Sequence, residues 1–323
     1  MGDKTTAGFS IKKIFGRSEI TVIVAVLILG VIFTIFSDSF LTSYNLFNMG
    51  RTAAIYIFIA IAQGLVVIVG GMNLSLGYIG GMVVVAAGYS MEILGLSSAA
   101  AVLIGLLVGI LAGAVNGLVI TGLKLNSFVV TLATSFIFQG LINGVSQGFP
   151  YNEIPEGFTF LGREGFLGIP YLLWLAGIAL AVLGYVFRYT VTGRRVLATG
   201  GNATSAKYSG VRVNKITVLA FIYNGCLAAI AGTLYAGRAH SARWDFGSGV
   251  EMNVIAAVVL GGTAMSGGTG SAIGALIGSF LIMMIDNGLV IGGLGVAQQT
   301  FMRGIIIILA VALSEIGRMK KRA

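Results

Sequence analysis

Charge is the scarcest property of this chain. Asp, Glu, Lys and Arg supply 10% of its 323 residues against 57% apolar residues, whereas a soluble domain averages about 25% charged. That balance excludes a water-exposed enzyme surface and points to an all-α polytopic membrane protein. The single cysteine, Cys226, rules out an intramolecular disulfide and lies in an apolar run, where a small thiol usually just packs. The single histidine, His240, has no second His or Cys nearby, so it reads as a loop residue and not a metal ligand. All three prolines, Pro150, Pro155 and Pro170, fall in one stretch, Gln147 to Pro170, which leaves the apolar runs free of that breaker. The Gly-rich segment Gly261 to Gly270 contains no lysine, so it cannot cradle nucleotide as a GxxxxGK[ST] loop does. No cofactor is expected. The net charge of +9 sits in loops beside apolar runs, which suits membrane topology better than a nucleic-acid partner.

What is present is a succession of ten apolar segments. They run Ile20 to Phe36, about Ala53 to Val69, Gly77 to Met91, Ala99 to Thr121, Phe128 to Val145, Tyr171 to Phe187, Ile216 to Gly237, Met252 to Gly262, Gly270 to Ile285 and Phe301 to Ile316. Met252 to Gly262 is too short to cross. At about 1.5 Å per residue it covers little more than half of a roughly 30 Å hydrocarbon core, so a broken segment is expected there. Lys4, Lys12, Lys13 and Arg17 precede the first run, and Phe36-Ser37-Asp38-Ser39 lacks a small-x-small cleavage pattern, so that run is expected to stay. With both termini cytoplasmic, 15 of the 20 basic residues fall inside, leaving Arg51, Arg163, Arg238, Arg243 and Arg303 outside. The whole chain, 1–323, reads as one transmembrane domain.

Between Arg188 and Lys215 lies the longest polar stretch between spans. It carries six basic residues, and no acid occurs from Glu164 to Asp245. Gly200 and Gly201 free the backbone, Asn202 suits a helix cap, and Gly210 suits a helix end. A helix of about two turns is therefore expected from Ala203 to Ser209, too short to stand alone in water. Its surface would be Ala203, Ser205, Ala206 and Ser209, small residues that admit close approach of a cytoplasmic partner. The basic residues around it also suit anionic lipid.

Two segments look alike: VVIVGGMNLSLGYIGGMVV from Val66 to Val84, and VVLGGTAMSGGTGSAIGALIG from Val258 to Gly278. In each, an apolar run reaches a Gly-Gly pair, Gly70-Gly71 or Gly261-Gly262. Each then crosses a polar turn, which in the second holds Gly267-Gly268, and starts a new span with glycines four apart. Both turns fall on the cytoplasmic side, which makes a parallel repeat. Broken segments at matching positions in two halves point to a translocation site, although Gly-xxx-Gly is also an ordinary packing device.

Gly71-Met72-Asn73-Leu74-Ser75-Leu76-Gly77, Asn116-Gly117-Leu118, Phe128-Val129-Val130-Thr131-Leu132, Gly200-Gly201-Asn202 with Ser209-Gly210-Val211, and Leu260-Gly261-Gly262-Thr263 with Gly267-Gly268 occur in that order. Together they resemble the permease subunit of ribose-type sugar ABC importers, over about residues 20 to 315. The resemblance implies a multi-pass protein of the bacterial inner membrane that lacks catalytic activity. It further implies a cytoplasmic ATPase partner, a sugar-binding protein outside, and a pore built with a second copy or a related permease. The family's coupling helix maps onto Ala203 to Ser209. Where the family usually has Asp, this chain has Asn73.

A neutral sugar needs hydrogen-bonding groups along its path. The candidates are Asn73, Ser75, Asn116, Thr131, Thr134, Gln139 and Asn143, with Gln63, Asn224 and Asn287 beside them. Any one of these could instead be an ordinary interhelical hydrogen bond. A branched-chain amino acid permease, a sodium-coupled carrier and a membrane scaffold remain as alternatives.

Overall fold

The computed structural model describes residues 17–319. The basic residues expected at the extreme termini, Lys4, Lys12, Lys13, Lys320, Lys321 and Arg322, lie outside that range.

Thirteen helices carry the described chain: α1 (Arg17–Phe36), α2 (Ser43–Ile68), α3 (Leu76–Glu92), α4 (Ser98–Leu123), α5 (Ser127–Ser146), α6 (Glu156–Arg163), α7 (Tyr171–Tyr189), α8 (Val191–Gly201), α9 (Ala203–Tyr208), α10 (Val213–Ala239), α11 (Val250–Leu260), α12 (Ala272–Ile291) and α13 (Val296–Met319). A two-residue hairpin, β1 (Gly165–Phe166) with β2 (Ile169–Pro170), precedes α7. Each expected apolar segment is helical. Six helices, α2, α4, α5, α7, α10 and α12, are long and apolar enough to cross a membrane; Ile20–Phe36 of α1 and all of α11 are shorter apolar helices. By length and composition alone, six of the ten expected segments qualify as spans among the described residues.

Several boundaries depart from expectation. α2 begins at Ser43, so Arg51 lies inside it instead of in a loop. α12 runs to Ile291, which brings Asp286 into a helix, and α13 begins at Val296, ahead of the expected Phe301. The stretch 188–215 is no open loop but contains α8 and α9.

α2 is the hub. It is buried along most of its length and packs against α7, α10, α11 and α12. α4 shows how helices without a strong hydrophobic drive pack in lipid. Its small residues Ala101, Gly105, Gly109, Gly113 and Gly117 recur every fourth position and are buried or nearly so, while Leu103, Leu107, Leu111 and Leu118 are exposed. The small face lies against α10 so closely that a Cβ on Gly113 would run into the Phe221 carbonyl, and one on Gly225 into that of Gly109. The exposed leucines suit lipid tails.

The stretch 147–170 forms a cap over one end of the bundle. Tyr151 bridges to Ala242, the Glu92 carboxylate accepts from the amides of Asn152 (2.7 Å) and Glu153 (2.9 Å), and Phe158 of α6 is buried.

Candidate functional site

The two repeated segments both break, and they break alike. At the end of α2, Val69 N–H bonds Leu65 (3.2 Å), Gly70 bonds Val67 (2.9 Å) and Gly71 bonds Val66 (2.9 Å). At the end of α11, Gly261 bonds Ala257 (2.9 Å), Gly262 bonds Val259 (3.0 Å) and Thr263 bonds Val258 (3.2 Å). This is the Schellman ending, which needs a left-handed residue just past the helix. Gly70 (φ 89°) and Gly262 (φ 91°) supply it. Gly70 therefore matches Gly262, and Gly71 matches Thr263, one residue off the Gly-Gly pairing read from the sequence.

Beyond the first break, a closed set of hydrogen bonds holds residues 72–75. The Asn73 amide donates to Asn224 Oδ1 (2.6 Å), and Asn224 donates to the Ala62 carbonyl (2.8 Å). Asn73 Oδ1 accepts from the amide (2.9 Å) and hydroxyl (2.8 Å) of Ser75. Ser75 Oγ accepts from Asn116 (2.8 Å), whose own oxygen accepts from Thr134 (2.8 Å). Thr131 Oγ1 accepts from the Leu74 amide (3.0 Å) and donates to the Ser127 carbonyl (2.7 Å). Gln63, with its amide turned, exchanges hydrogen bonds with the backbone of Asn73 (3.2 and 3.3 Å). Asn73, Ser75, Asn116, Thr131, Asn224 and Gln63 are fully buried. Five path candidates thus meet in one network that ties the break to α4, α5 and α10. The other two do not: Gln139 is half-buried and Asn143 exposed, on the side of α5 away from the Thr131 and Thr134 face.

Glycines of three distant segments, Gly70, Gly200-Gly201 and Gly267-Gly268, meet at one point. Gly268 N–H bonds the Ile68 carbonyl (2.9 Å). A Cβ on Gly200 would overlap the Ile68 carbonyl and Gly268, one on Gly267 would lie 2.9 Å from Gly70 Cα, and one on Gly268 would lie 2.6 Å from Gly201 Cα. Gly267 (φ 84°) and Gly268 (φ 77°) also need the left-handed region. The end of α8 is thereby wedged between both breaks. Gly200 and Gly201 are expected in a free linker; instead they form the last turn of α8, where Gly200 has no room for a Cβ against Ile68 and Gly268.

From this junction the chain passes straight into α9. Asn202 caps it, its Oδ1 accepting from the Ser205 amide (2.9 Å), and Gly210 (φ 80°) follows its end. Ala203, Ser205 and Ser209 are exposed as expected, but Ala206 is buried and packs inward. Tyr208 stands 89% exposed, the large side chain of this otherwise small surface.

Residues 45–311 match the family model described as branched-chain amino acid transport system / permease component. The chain belongs to this permease family. It is 38% identical over 289 residues to the ribose import permease protein of Bacillus subtilis (strain 168), covering 88% of this chain and 89% of that protein. It is 32% identical to the ribose import permease protein of Escherichia coli (strain K12), covering 90% and 91%. It is 33% identical to the autoinducer 2 import system permease protein of Photorhabdus luminescens, covering 96% and 93%. No solved structure matches the chain.

For a permease, polar and open places along the hub helix matter most. A cavity of about 600 Å³ lies near the glycine junction, between α2, α7 and the second break, lined by Gly64, Leu65, Ile68, Arg188, Thr263 and Ser271. Toward the opposite end, Asp286 of α12 pairs with Arg303 of α13 (2.6 Å) and accepts from Tyr56 of α2 (3.4 Å). Asn45 and Asn287 exchange amide hydrogen bonds nearby (3.1 and 2.9 Å). Sequence reading left Asp286 and Arg303 at span ends; their pairing inside the bundle is what lets the helices continue through them.

Proposed function

We propose that the chain is the membrane-spanning permease subunit of an ATP-driven importer for a sugar or sugar-like solute. The relatives named for ribose and autoinducer 2 favour that class over a branched-chain amino acid. The observation that carries the mechanism is the junction of Gly70, Gly200, Gly201, Gly267 and Gly268. α9 is the coupling helix of a cytoplasmic ATPase, and α8 hands its movement to both broken segments at once. Because these contacts are backbone on backbone, a displaced α8 has no side chain to absorb the shift. Ala203, Thr204, Lys207 and Tyr208 line a surface cleft of about 860 Å³, a place for the partner to seat.

Lys124, Arg188, Arg194, Arg195, Lys207, Arg212 and Lys215 belong to turns and helices at the junction end, which makes that end cytoplasmic. α2 and α11 run toward it, and on this reading all ten apolar segments enter the bilayer, α11 as a half-crossing. Both termini then lie inside. A binding protein delivers the solute to the opposite face, and a second copy or a related permease completes the pore. The buried network around Asn73, Ser75, Asn116, Thr131 and Thr134 holds the first break in shape as solute passes, and Gln139 and Asn143, off that face of α5, are the remaining candidates for contact with solute.

Affinity purification from the native membrane in mild detergent, with mass spectrometry of the eluate, tests the class. An ATPase and a sugar-binding protein are expected with the wild type, and the ATPase is expected to be lost with Ala203→Trp. An ATPase bound equally by both would remove α9 from the coupling role.

A further inference from the structure

The end of the bundle opposite the glycine junction carries a cavity that the coupling mechanism does not use. It measures about 630 Å³ and is walled by Arg51 of α2, Tyr235 and Arg238 of α10, Asn152 of the cap, and Arg243 and Trp244 of the loop after α10. Tyr235 and Arg238 also wall a deeper extension of about 220 Å³ that reaches Tyr56, Asp245 and Phe246. A site of this size suits a small solute.

Its charge is unbalanced. Three arginines and no acid line it, and the one acid of the deeper extension, Asp245, is spent on Arg243 through two hydrogen bonds of 3.0 and 2.7 Å. Arg238 has no ion pair or hydrogen bond among the described residues. Arg51 donates to Asn48 and, at 3.5 Å, to the Arg163 carbonyl, and it rests over the Phe47 ring; its Nε is buried with no partner. The charges of Arg163 and Glu164 bear on Arg51 with opposite sign and offset each other. Two guanidinium groups therefore sit partly out of water with no counter-ion of their own, which is costly unless an anion joins them. The guanidinium fork matches a carboxylate or phosphate through paired hydrogen bonds, which an ammonium cannot reproduce. Beside the arginines, Tyr235 stacks on Phe246 with ring centroids 4.2 Å apart, and Trp244 is partly exposed. These rings offer an apolar face with a polar edge, suited to one side of a hydroxylated ring. Asn152 and Ser241 add neutral donors and acceptors for hydroxyl groups.

From this arrangement we infer that the outer cavity binds an acidic monosaccharide, a sugar carrying a carboxylate or a phosphate, with Arg51 and Arg238 on the anion and Tyr235 and Trp244 against the ring. The inference rests on the sugar-permease reading and narrows its substrate class. The permease, purified in lipid nanodiscs, is titrated calorimetrically with D-ribose, D-ribonate and D-ribose 5-phosphate. Ribonate or ribose 5-phosphate is expected to bind at least tenfold more tightly than ribose, and which of the two prevails tells carboxylate from phosphate. Arg51→Gln and Arg238→Gln are each expected to weaken that anion tenfold or more, while Arg51→Lys recovers only part. The ligand series on the wild type decides the matter even where a variant fails to fold. Equal or tighter binding of ribose overturns the inference. So does loss of binding-protein affinity in Arg51→Gln when neither anion binds the wild type, since the arginines would then serve a protein docking face. ATP-driven ribose uptake alongside absent anion binding would sink this inference and leave the transport reading intact; no ATP-driven uptake of any solute would sink the transport reading first.

Discussion

The two broken segments end their first helices with the same three backbone hydrogen bonds and are then held in opposite ways. After Gly70 the chain is fastened by side chains: Asn73, Ser75 and Thr131 fix it to α4, α5 and α10. After Gly262 the chain is fastened by backbone, through the Gly268 bond to Ile68 and the close contacts of Gly200, Gly201, Gly267 and Gly268. The serines before the next helices show the same division. Ser271 caps its own helix, accepting from the Gly274 amide (3.1 Å), whereas Ser75 gives its hydroxyl to the network and makes no cap. The first break thus resembles a rivet and the second a sliding fit. Both meet α8, but only the first is also locked by a network of buried side chains.

The largest expected effect comes from roughening the sliding fit. Gly268→Val would force a β-branched side chain into the Gly201 backbone at a left-handed position, and uptake should fall by tenfold or more. Uptake assays in cells with matched protein levels check this, and near-normal uptake would deny the contact a role.

Next comes the rivet. Asn116→Ala strips partners from Ser75 and Thr134 in a fully buried place, so thermal stability should drop by about 1–3 kcal/mol. Asn73→Asp would set a carboxylate against Asn224 Oδ1, so Asn224 must turn and release Ala62. A loss in the same range is expected, and Asn73→Asp without effect would show the network to be more pliable than its geometry. At the second break, Ser271→Ala should cost about 1 kcal/mol or less, the worth of one cap. A larger cost there than for Asn116→Ala would reverse the contrast between the two breaks.

The smallest effect is a pH dependence outside both breaks. The Arg243 guanidinium holds the Asp245 carboxyl below its usual range. A depressed folded value stabilises above the unfolded value of about 3.9 and is lost as pH falls through the folded one. Arg243→Gln should therefore be slightly less stable than wild type at neutral pH and equal to it below that window. Thermal melts on either side of it check this; because the pair is largely exposed, the difference should be small and salt-sensitive.

Much of this was legible in the residues. Ten apolar runs became helices because length and hydropathy dominate in a chain so poor in charge. The cap at Asn202 and the stop at Gly210 were readable because each rests on local chemistry. The Thr131 and Thr134 face of α5 was readable from helical spacing; Gln139 and Asn143 fall off that face, which composition alone does not reveal. α8 was missed because its Thr, Gly and Arg residues look like a loop when read singly. Asp286 and Arg303 were taken as helix ends because each looks unaffordable until its partner, on another helix, is known. The glycine junction joins residues near 70, 200 and 268, and no local pattern announces a meeting across such distances.

The most direct measurement is ATP-driven solute uptake by the reconstituted complex of permease, ATPase and binding protein, with ATP hydrolysis followed in parallel. Wild type is compared with Gly200→Val, whose side chain would overlap Ile68, and with Gly201→Ala, whose Cβ meets nothing within 4 Å. Coupling through the junction predicts hydrolysis in all three, uptake in wild type and Gly201→Ala, and uptake at least tenfold lower in Gly200→Val. Equal uptake in Gly200→Val, or uptake by the permease alone on a sodium gradient, would contradict it.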